Sequence, residues 1–250
     1  KDFREATWEE ALSYASEGFL KIKEKYGAQS LASHYGRGAF DQPFEDFFSG
    51  TGDNKYGGIF GYLGSPNTGS VGSLCYVSYG VFAPIPTMGI PSSFINADIE
   101  NAATIFVWGT NPPTASPPLK YHRIKEAKKR GAKVITVDHY KSIMADNSNE
   151  VVLVNSGTDG FLILGLINYL IENNKYNKEF VEEYTYGFEE LKKYVKDFTL
   201  DKVLDVCGIK EEDFYLIARE LSKEKVTLLT YTGLEYSNCG VQTIRAIYSL

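Results

Sequence analysis

Three short apolar runs constrain the fold of this chain most strongly. They are Thr104–Trp108, Lys133–Val137 and Val151–Val154. Each has the length of a strand and shows no alternation of apolar with polar residues, which is typical of parallel strands covered on both faces. Between the first two runs the sequence predicts a helix from about Pro117 to Arg130. We therefore expect a strand–helix–strand unit with a right-handed crossover.

The remaining sequence also alternates between strand-like and helix-like segments, which favours the α/β class. An amphipathic helix is predicted over Trp8–Tyr26, with Thr7 and Glu10 spaced as a capping box. Further segments are predicted as follows: strands Ser30–Tyr35 and Lys225–Thr230, and helices Asp159–Asn173, Gly187–Lys196, Glu211–Lys223 and Val241–Leu250. Ala83–Pro91 carries three prolines and is not expected to form a regular helix.

These segments suggest two lobes. Residues 68–224 are predicted to form a Rossmann-like lobe with a parallel sheet. Residues 1–67 and 225–250 are predicted to pair as a second α/β lobe, into which the first is inserted.

Polar residues follow each of the three apolar runs, at the strand ends where open α/β sheets bind ligands. They are Gly109, Thr110 and Asn111 after the first run, Asp138 after the second, and Gly157, Thr158 and Asp159 after the third. The first turn can direct backbone N–H groups at a phosphate. Asp138 can accept hydrogen bonds from two ribose hydroxyls, and Asp159 can accept two donors from the edge of a purine such as guanine.

A structural interpretation of the same residues stays open, because Asn and Asp are common helix caps. The dinucleotide fingerprint GxGxxG is absent from all three turns, which disfavours NAD. No P-loop is present either, so a GTP-binding enzyme of that class is also disfavoured.

Composition excludes several other classes. The net charge is -6 and the basic residues are dispersed, so nucleic acid is not expected as a partner. The longest apolar run, Phe161–Ile171, is too short to span a membrane. The three cysteines form no CxxC pair and no cluster with histidine, so neither a disulfide framework nor a zinc site is indicated. Cys75 lies in a stretch of small residues, where a lone cysteine is by default a small buried apolar residue.

Several motifs together resemble the molybdopterin-guanine-dinucleotide oxidoreductases, the superfamily of formate dehydrogenases and of nitrate, polysulfide and dimethyl sulfoxide reductases. The motifs are, in order, TWEEAL, GRGAF, LGSPN, SLCYVSYG, ADIENAATIFVWGTNP, RGAKVITVD, NSGTDG and GLEYSNCGVQTIRAIYSL. The resemblance implies the fold of the central domains of those enzymes, with the Rossmann-like lobe inserted into a second α/β lobe.

The resemblance also implies roles for individual residues. Cys75 matches the protein ligand of molybdenum or tungsten, and a soft thiolate suits a metal already held by dithiolene sulfurs. Ser78 and Tyr79 are alternative oxygen ligands whose spacing fits the family less well. The expected contacts are therefore Cys75 with the metal, Gly109, Thr110 and Asn111 with the pyrophosphate, Asp138 with the ribose, Gly157, Thr158 and Asp159 with guanine, and Gly233 with the second dinucleotide.

The sequence departs from the family pattern at several positions. His139, Tyr140 and Lys141 follow Asp138 where the family often has Pro-Arg, and Ser156 replaces a frequent proline. Tyr231 replaces the first glycine of the GxG turn, and Tyr236 stands where Gln or His is frequent.

By resemblance, the cofactors are two molybdopterin guanine dinucleotides with molybdenum or tungsten. The family's iron–sulfur cysteine motif is absent from this sequence. We therefore interpret the chain as the middle two lobes of a catalytic subunit. Its expected partners are the remaining N- and C-terminal domains and an iron–sulfur electron-transfer subunit. The expected reaction is a two-electron redox step or oxygen-atom transfer on a small anaerobic substrate, with the isolated chain inactive. The alternative is a catalytically silent relative that acts as a scaffold in a redox complex.

Overall fold

A computed structural model describes residues 3–35, 58–70, 76–115 and 118–250 of the chain. Contacts between residues divide the chain into two units, Lys1–Cys75 and Tyr76–Leu250. Each unit contains a parallel sheet, with two strands in the first unit and four in the second. The predicted α/β class, with a parallel sheet, is therefore confirmed.

The first unit begins with helix α1 (Trp8–Tyr26), whose predicted bounds are confirmed. The Thr7 side chain accepts a hydrogen bond from the Glu10 N–H at 3.2 Å, which is one half of the capping box. The Glu10 carboxylate pairs with Arg4, and its hydrogen bonds with Arg4 and with the Thr7 backbone lower its pKa. The apolar side chains of α1 lie largely exposed, with Trp8 at 83%.

The described part of the first unit also contains two short parallel strands, β1 (Ser33–Tyr35) and β2 (Thr68–Ser70), and helix α2 (Gly58–Tyr62). β1 is shorter than predicted, because Ala28–Ser30 forms a turn of 3-10 helix. Phe19 of α1 packs edge-on against Phe60 of α2, with ring centroids 5.6 Å apart.

The second unit is built on four parallel strands in the order β5-β4-β3-β6. They are β3 (Thr104–Trp108), β4 (Lys133–Asp138), β5 (Glu150–Leu153) and β6 (Val226–Thr230). The three runs that were predicted as strands therefore lie side by side in one sheet. All five residues of β3 are buried, as expected for a central strand covered on both faces.

Helices of the second unit cover both faces of this sheet. In chain order, the helices of the unit are α3 (Pro84–Met88), α4 (Pro112–Ala115), α5 (Pro118–Lys129), α6 (Ile143–Asp146), α7 (Asp159–Glu172), α8 (Lys178–Tyr184), α9 (Phe188–Tyr194), α10 (Leu200–Cys207), α11 (Glu211–Leu221) and α12 (Gly240–Ser249). Among the described residues, no helix combines the length and apolarity needed to cross a membrane.

The two cores explain why the strands lack alternation. Phe106 and Trp108 point to one face, where they join a cluster with residues of α7, α10, α11 and α12. Ile105 and Val107 point to the other face and pack in a cluster with Ile124 of α5 and Met144 of α6. Because both faces are buried, every position of β3 requires an apolar or a hydrogen-bonded side chain.

The two units differ from the predicted lobes. β6 pairs with β3 in the sheet of the second unit, with Thr104 opposite Val226 and Trp108 opposite Thr230. Residues 225–250 were expected to pair with residues 1–67 instead. The difference has a physical reason, since the apolar run of β6 extends the same parallel sheet on the open side of β3. The insertion of one lobe into another stays a prediction.

The proline-rich segment Ala83–Pro91 also differs from expectation, because it contains the one-turn helix α3. Pro84 and Pro86 both lie in its first turn, where backbone N–H groups have no partner within the helix. The prolines therefore remove no helical hydrogen bond. Gly89 ends the helix in a left-handed conformation.

A buried ion-pair network holds the end of the sheet opposite the predicted site. The side chain of Glu220 on α11 is only 2% exposed. It accepts a hydrogen bond from Thr104 on β3 at 3.3 Å and pairs with Lys133 on β4 at 3.4 Å and with Lys223 at 2.7 Å. Burial raises the pKa of Glu220, but the two lysines outweigh it and the net pKa is lowered.

We expect Glu220→Gln to lower the free energy of unfolding by about 1–3 kcal/mol at pH 7, because it removes charged hydrogen bonds. Since the folded pKa is lowered, this stabilisation is present above the unfolded pKa and is lost as the pH falls through the folded pKa. Urea unfolding at pH 7 and below about pH 4 measures it. Glu212→Gln, an exposed position on α11, serves as the control. If Glu220→Gln lowered the free energy of unfolding by the same amount at both pH values, the result would contradict a stabilising role for this ion-pair network.

Candidate functional site

The turn after β3 is built on a close approach of two glycines. Gly109 has a φ of +61°, which a glycine adopts without strain, and its N–H donates to the Val137 carbonyl at 3.0 Å. Its carbonyl accepts a hydrogen bond from the N–H of Gly233 at 3.1 Å. A Cβ on Gly109 would lie 2.9 Å from Cγ of Leu234. Two predicted site residues 124 positions apart (233 − 109) are thus in direct backbone contact.

The next two residues continue the turn toward α4. Thr110 is half-buried. The side chain of Asn111 accepts a hydrogen bond from the Met144 N–H at 3.2 Å and donates to Thr114 Oγ1 at 2.8 Å. The Asn111 amide therefore links the turn to α6 and braces α4. This is the structural role that was left open for it from the sequence.

Asp138 ends β4 with a buried carboxylate, only 5% exposed. Its Oδ1 accepts a hydrogen bond from the backbone N–H of His139 at 2.8 Å and lies 3.0 Å from His139 Nδ1. Burial raises the pKa of Asp138, and the contacts with His139 offset part of that rise. A desolvated acceptor of this kind gains from further donors, such as hydroxyl groups.

The turn after β5 leads directly into α7. Gly157 has a φ of +79°, and the hydroxyl of Thr158 donates to the Asn155 carbonyl at 2.7 Å. Asp159 is the first residue of α7, and its Oδ1 accepts a hydrogen bond from Nε1 of Trp108 at 2.8 Å. Burial raises the pKa of Asp159, the bond from Trp108 lowers it, and the charge of Asp138 raises it further.

The loop after β6 contains an acidic residue that the sequence did not single out. Glu235 is buried, at 8% exposure. One of its oxygens accepts a hydrogen bond from the Tyr76 N–H at 2.8 Å, and the other accepts one from the Tyr79 N–H at 2.9 Å. Tyr76 has a φ of +73°, an uncommon conformation for a residue other than glycine. Glu235 therefore ties the loop of Gly233 to the segment that follows Cys75 in the chain.

The predicted metal ligand Cys75 lies outside the described residues. Of its alternatives, Tyr79 donates its hydroxyl to the Thr230 carbonyl at 2.9 Å, and Ser78 begins a turn of π-helix. Cys207 is buried, its thiol lies 3.6 Å from the Thr158 carbonyl, and burial raises its pKa to about 11. Within the described ranges, no group of three or more His, Cys, Asp or Glu side chains is suited to hold a metal.

The predicted nucleotide-binding residues, all of which lie in the described part of the chain, therefore gather at one edge of the four-stranded sheet. Strand ends deliver the Gly109 turn, Asp138 and the Gly157 turn there, and Gly233 joins them through the Gly109 carbonyl. Trp108 and Glu235 were missed, because the first reads as a core residue and the second as a solvated loop acid. The one available signal for Trp108 was an indole N–H at the end of a buried strand, since a buried indole normally finds an acceptor.

Comparisons with known proteins show which sequences the chain is similar to. The family model described as molybdopterin oxidoreductase matches residues 1–250. Formate dehydrogenase H of Escherichia coli (strain K12) is 30% identical over 98% of the chain, which spans 33% of that relative. Acetylene hydratase of Syntrophotalea acetylenica is 31% identical over 81% of the chain and 26% of the relative.

A solved structure also resembles the chain. Acetylene hydratase from Pelobacter acetylenicus matches with a TM-score of 0.69 and 26% identity, covering 98% of this chain and 32% of that one. The chain thus spans about a third of the length of the relatives that it matches along nearly its whole length.

Proposed function

The chain belongs to the molybdopterin oxidoreductase family, and we propose that its four-stranded sheet holds the guanosine end of a molybdopterin guanine dinucleotide. The observation that carries the proposal is the pair of carboxylates at this edge, the buried Asp138 and the half-buried Asp159, beside the contact between Gly109 and Gly233. Buried carboxylates are costly unless donors meet them. A ribose and a guanine supply such donors.

The residues at this edge suit the parts of that cofactor. Asp138 is proposed to accept hydrogen bonds from the ribose hydroxyls, and Asp159 is proposed to accept them from the N1–H and 2-amino groups of guanine. The backbone N–H groups of Thr110 and Asn111, in the turn that begins at Gly109, are proposed to donate to the pyrophosphate. Gly157 and Thr158 shape the turn that presents Asp159. Gly233 allows its loop to pass close to the second dinucleotide, because it carries no side chain.

Cys75 is proposed to bind molybdenum or tungsten through its thiolate. The metal, held also by the pterins, supplies the two-electron redox or oxygen-atom chemistry when it is bound. The task of this chain is to orient the cofactor. Glu235 contributes by fixing the backbone of Tyr76, the residue next to Cys75, from the loop that carries Gly233.

The whole protein is proposed to act on a small anaerobic substrate, as the two named relatives do on formate and acetylene. Further domains and an iron–sulfur electron-transfer subunit are proposed to complete it. The chain by itself is proposed to be inactive, because well-aligned reaction geometry needs an enclosed site. Turnover of an artificial electron dye by the 250-residue chain alone would contradict this last point.

Elemental analysis of the full-length protein tests the proposal. The protein is purified anaerobically from cells supplied with molybdate and tungstate, and acid hydrolysis measures the GMP released from the dinucleotide. We expect molybdenum or tungsten together with GMP. Cys75→Ala is expected to retain GMP but to lose activity. Absence of both metal and GMP would support the silent scaffold instead. Full activity of Cys75→Ala would show that Cys75 is not the required metal ligand.

A further inference from the structure

The single hydrogen-bond donor of the Trp108 side chain bonds to one carboxylate. It is the last residue of β3, its side chain is fully buried, and its Nε1 donates to Asp159 Oδ1 at 2.8 Å. An indole has this single donor and no acceptor. The bond joins residues 51 positions apart and links the central strand to the first residue of α7.

The bond constrains how Asp159 meets a ligand. An ionised carboxylate has two oxygens with about four lone-pair positions, and the bond from Trp108 occupies one of them on Oδ1. It also limits rotation of the carboxylate, since Trp108 itself is fixed in the core. The remaining acceptor positions then have a defined direction before any ligand arrives, which lowers the entropic cost of binding.

We infer that Trp108 is a positioning residue for guanine selection, because it holds the Asp159 carboxylate in the orientation that accepts the N1–H and 2-amino groups of the base. This inference rests on the proposed function. It adds a residue of the buried strand to the nucleotide site. It also gives the last residue of β3 a chemical reason to be tryptophan rather than another large apolar residue.

The pH dependence of guanine binding is a second property that the bond from Trp108 to Asp159 should change. Burial raises the pKa of Asp159, and the bond from Trp108 opposes that rise. The other groups facing it are Asp138, whose charge raises the pKa, His139, which lowers it, and the thiol of Cys207. With a pKa of about 11 the thiol is neutral at pH 7. Removing the indole N–H should therefore raise the pKa of Asp159. As the pH falls, the carboxylate would then be protonated, and guanine binding lost, at a higher pH.

The test compares two core variants of the full-length protein, purified without its cofactor and probed with GDP and IDP. IDP carries hypoxanthine, which lacks the 2-amino group of guanine. Trp108→Phe removes the N–H and keeps an aromatic ring. The control Phe106→Leu reduces a fully buried side chain on the same face of β3, and phenylalanine has no donor that could bond Asp159.

We expect Trp108→Phe to bind GDP about tenfold more weakly, as for loss of a hydrogen bond to a charged group. Its preference for GDP over IDP should fall. As the pH is lowered, Trp108→Phe should lose GDP binding at a higher pH than the unsubstituted protein does. Phe106→Leu should keep the preference and the pH profile even if it unfolds at a lower temperature. Unchanged preference and pH profile in Trp108→Phe would overturn the inference.

A second measurement does not depend on how well Trp108→Phe folds. The 250-residue sequence contains two tryptophans, so Trp8→Phe leaves Trp108 as the only one when this chain is expressed by itself. GDP should change the emission of Trp108 in this variant, and ADP should not. GDP binding without any change in emission would count against the inference. If the unsubstituted protein shows no preference for GDP over IDP and ADP, it is the proposed function that fails.

Discussion

Replacing Gly233 with alanine is expected to destabilise the Tyr76–Leu250 unit by about 3 kcal/mol. A Cβ at this position would overlap the carbonyl oxygen of Gly109. That carbonyl also accepts the N–H of Gly233, so the two backbones cannot separate without losing their hydrogen bond. The loop after β6 and the turn after β3 must then move apart, and GDP binding should weaken at the same time.

Urea unfolding measures the stability, and Gly18→Ala provides the control. A Cβ on Gly18 meets no atom within 4 Å, and the residue lies inside α1, where alanine favours the helix. That variant should be as stable as the unsubstituted protein or more stable. Wild-type stability and GDP affinity in Gly233→Ala would show that the close contact of the two turns is not required.

Replacing Asp159 with asparagine is expected to reduce GDP affinity about 100-fold while leaving the fold intact. Asparagine keeps the shape of the side chain and an oxygen that can accept the N–H of Trp108. It loses the charge, and its amide presents N–H groups toward the donors of guanine. Selectivity for guanine over hypoxanthine should disappear with the affinity.

Unlike the GDP affinity, the free energy of unfolding should not fall in Asp159→Asn. Because burial raises the folded pKa of Asp159, its ionised form is disfavoured by folding, and this cost appears as the pH rises above the unfolded pKa of about 4. Asp159→Asn should therefore match or exceed the unsubstituted protein in stability at pH 7. The control is Asp205→Asn, an exposed position on α10. GDP binding by Asp159→Asn as tight as in this control would remove Asp159 from the site.

The sheet and the position of the site follow from local sequence. Unalternated runs predict buried parallel strands, and parallel strands bring their carboxyl ends to one edge. Asp138 and Asp159 could therefore be assigned to the same edge, although 21 positions (159 − 138) separate them in the chain. The motif order, rather than any single residue, identified the family that the comparisons confirm.

Contacts between distant turns could not be predicted in the same way. The pairing of Gly109 with Gly233 and of Trp108 with Asp159 depends on how the loops pack, which hydrophobic periodicity does not encode. The place of β6 was missed for a related reason. Its apolar run predicts a buried strand, but which sheet it joins depends on the crossover through α7–α11.

The central claim is that the carboxyl edge of this sheet binds a guanosine. A crystal structure of the full-length protein with GDP tests it most directly. We predict guanine within hydrogen-bonding distance of the Asp159 carboxylate and ribose hydroxyls within reach of Asp138, beside the turn of Gly109. A nucleotide bound elsewhere on the protein, or bound here with its base turned away from Asp159, would contradict the claim.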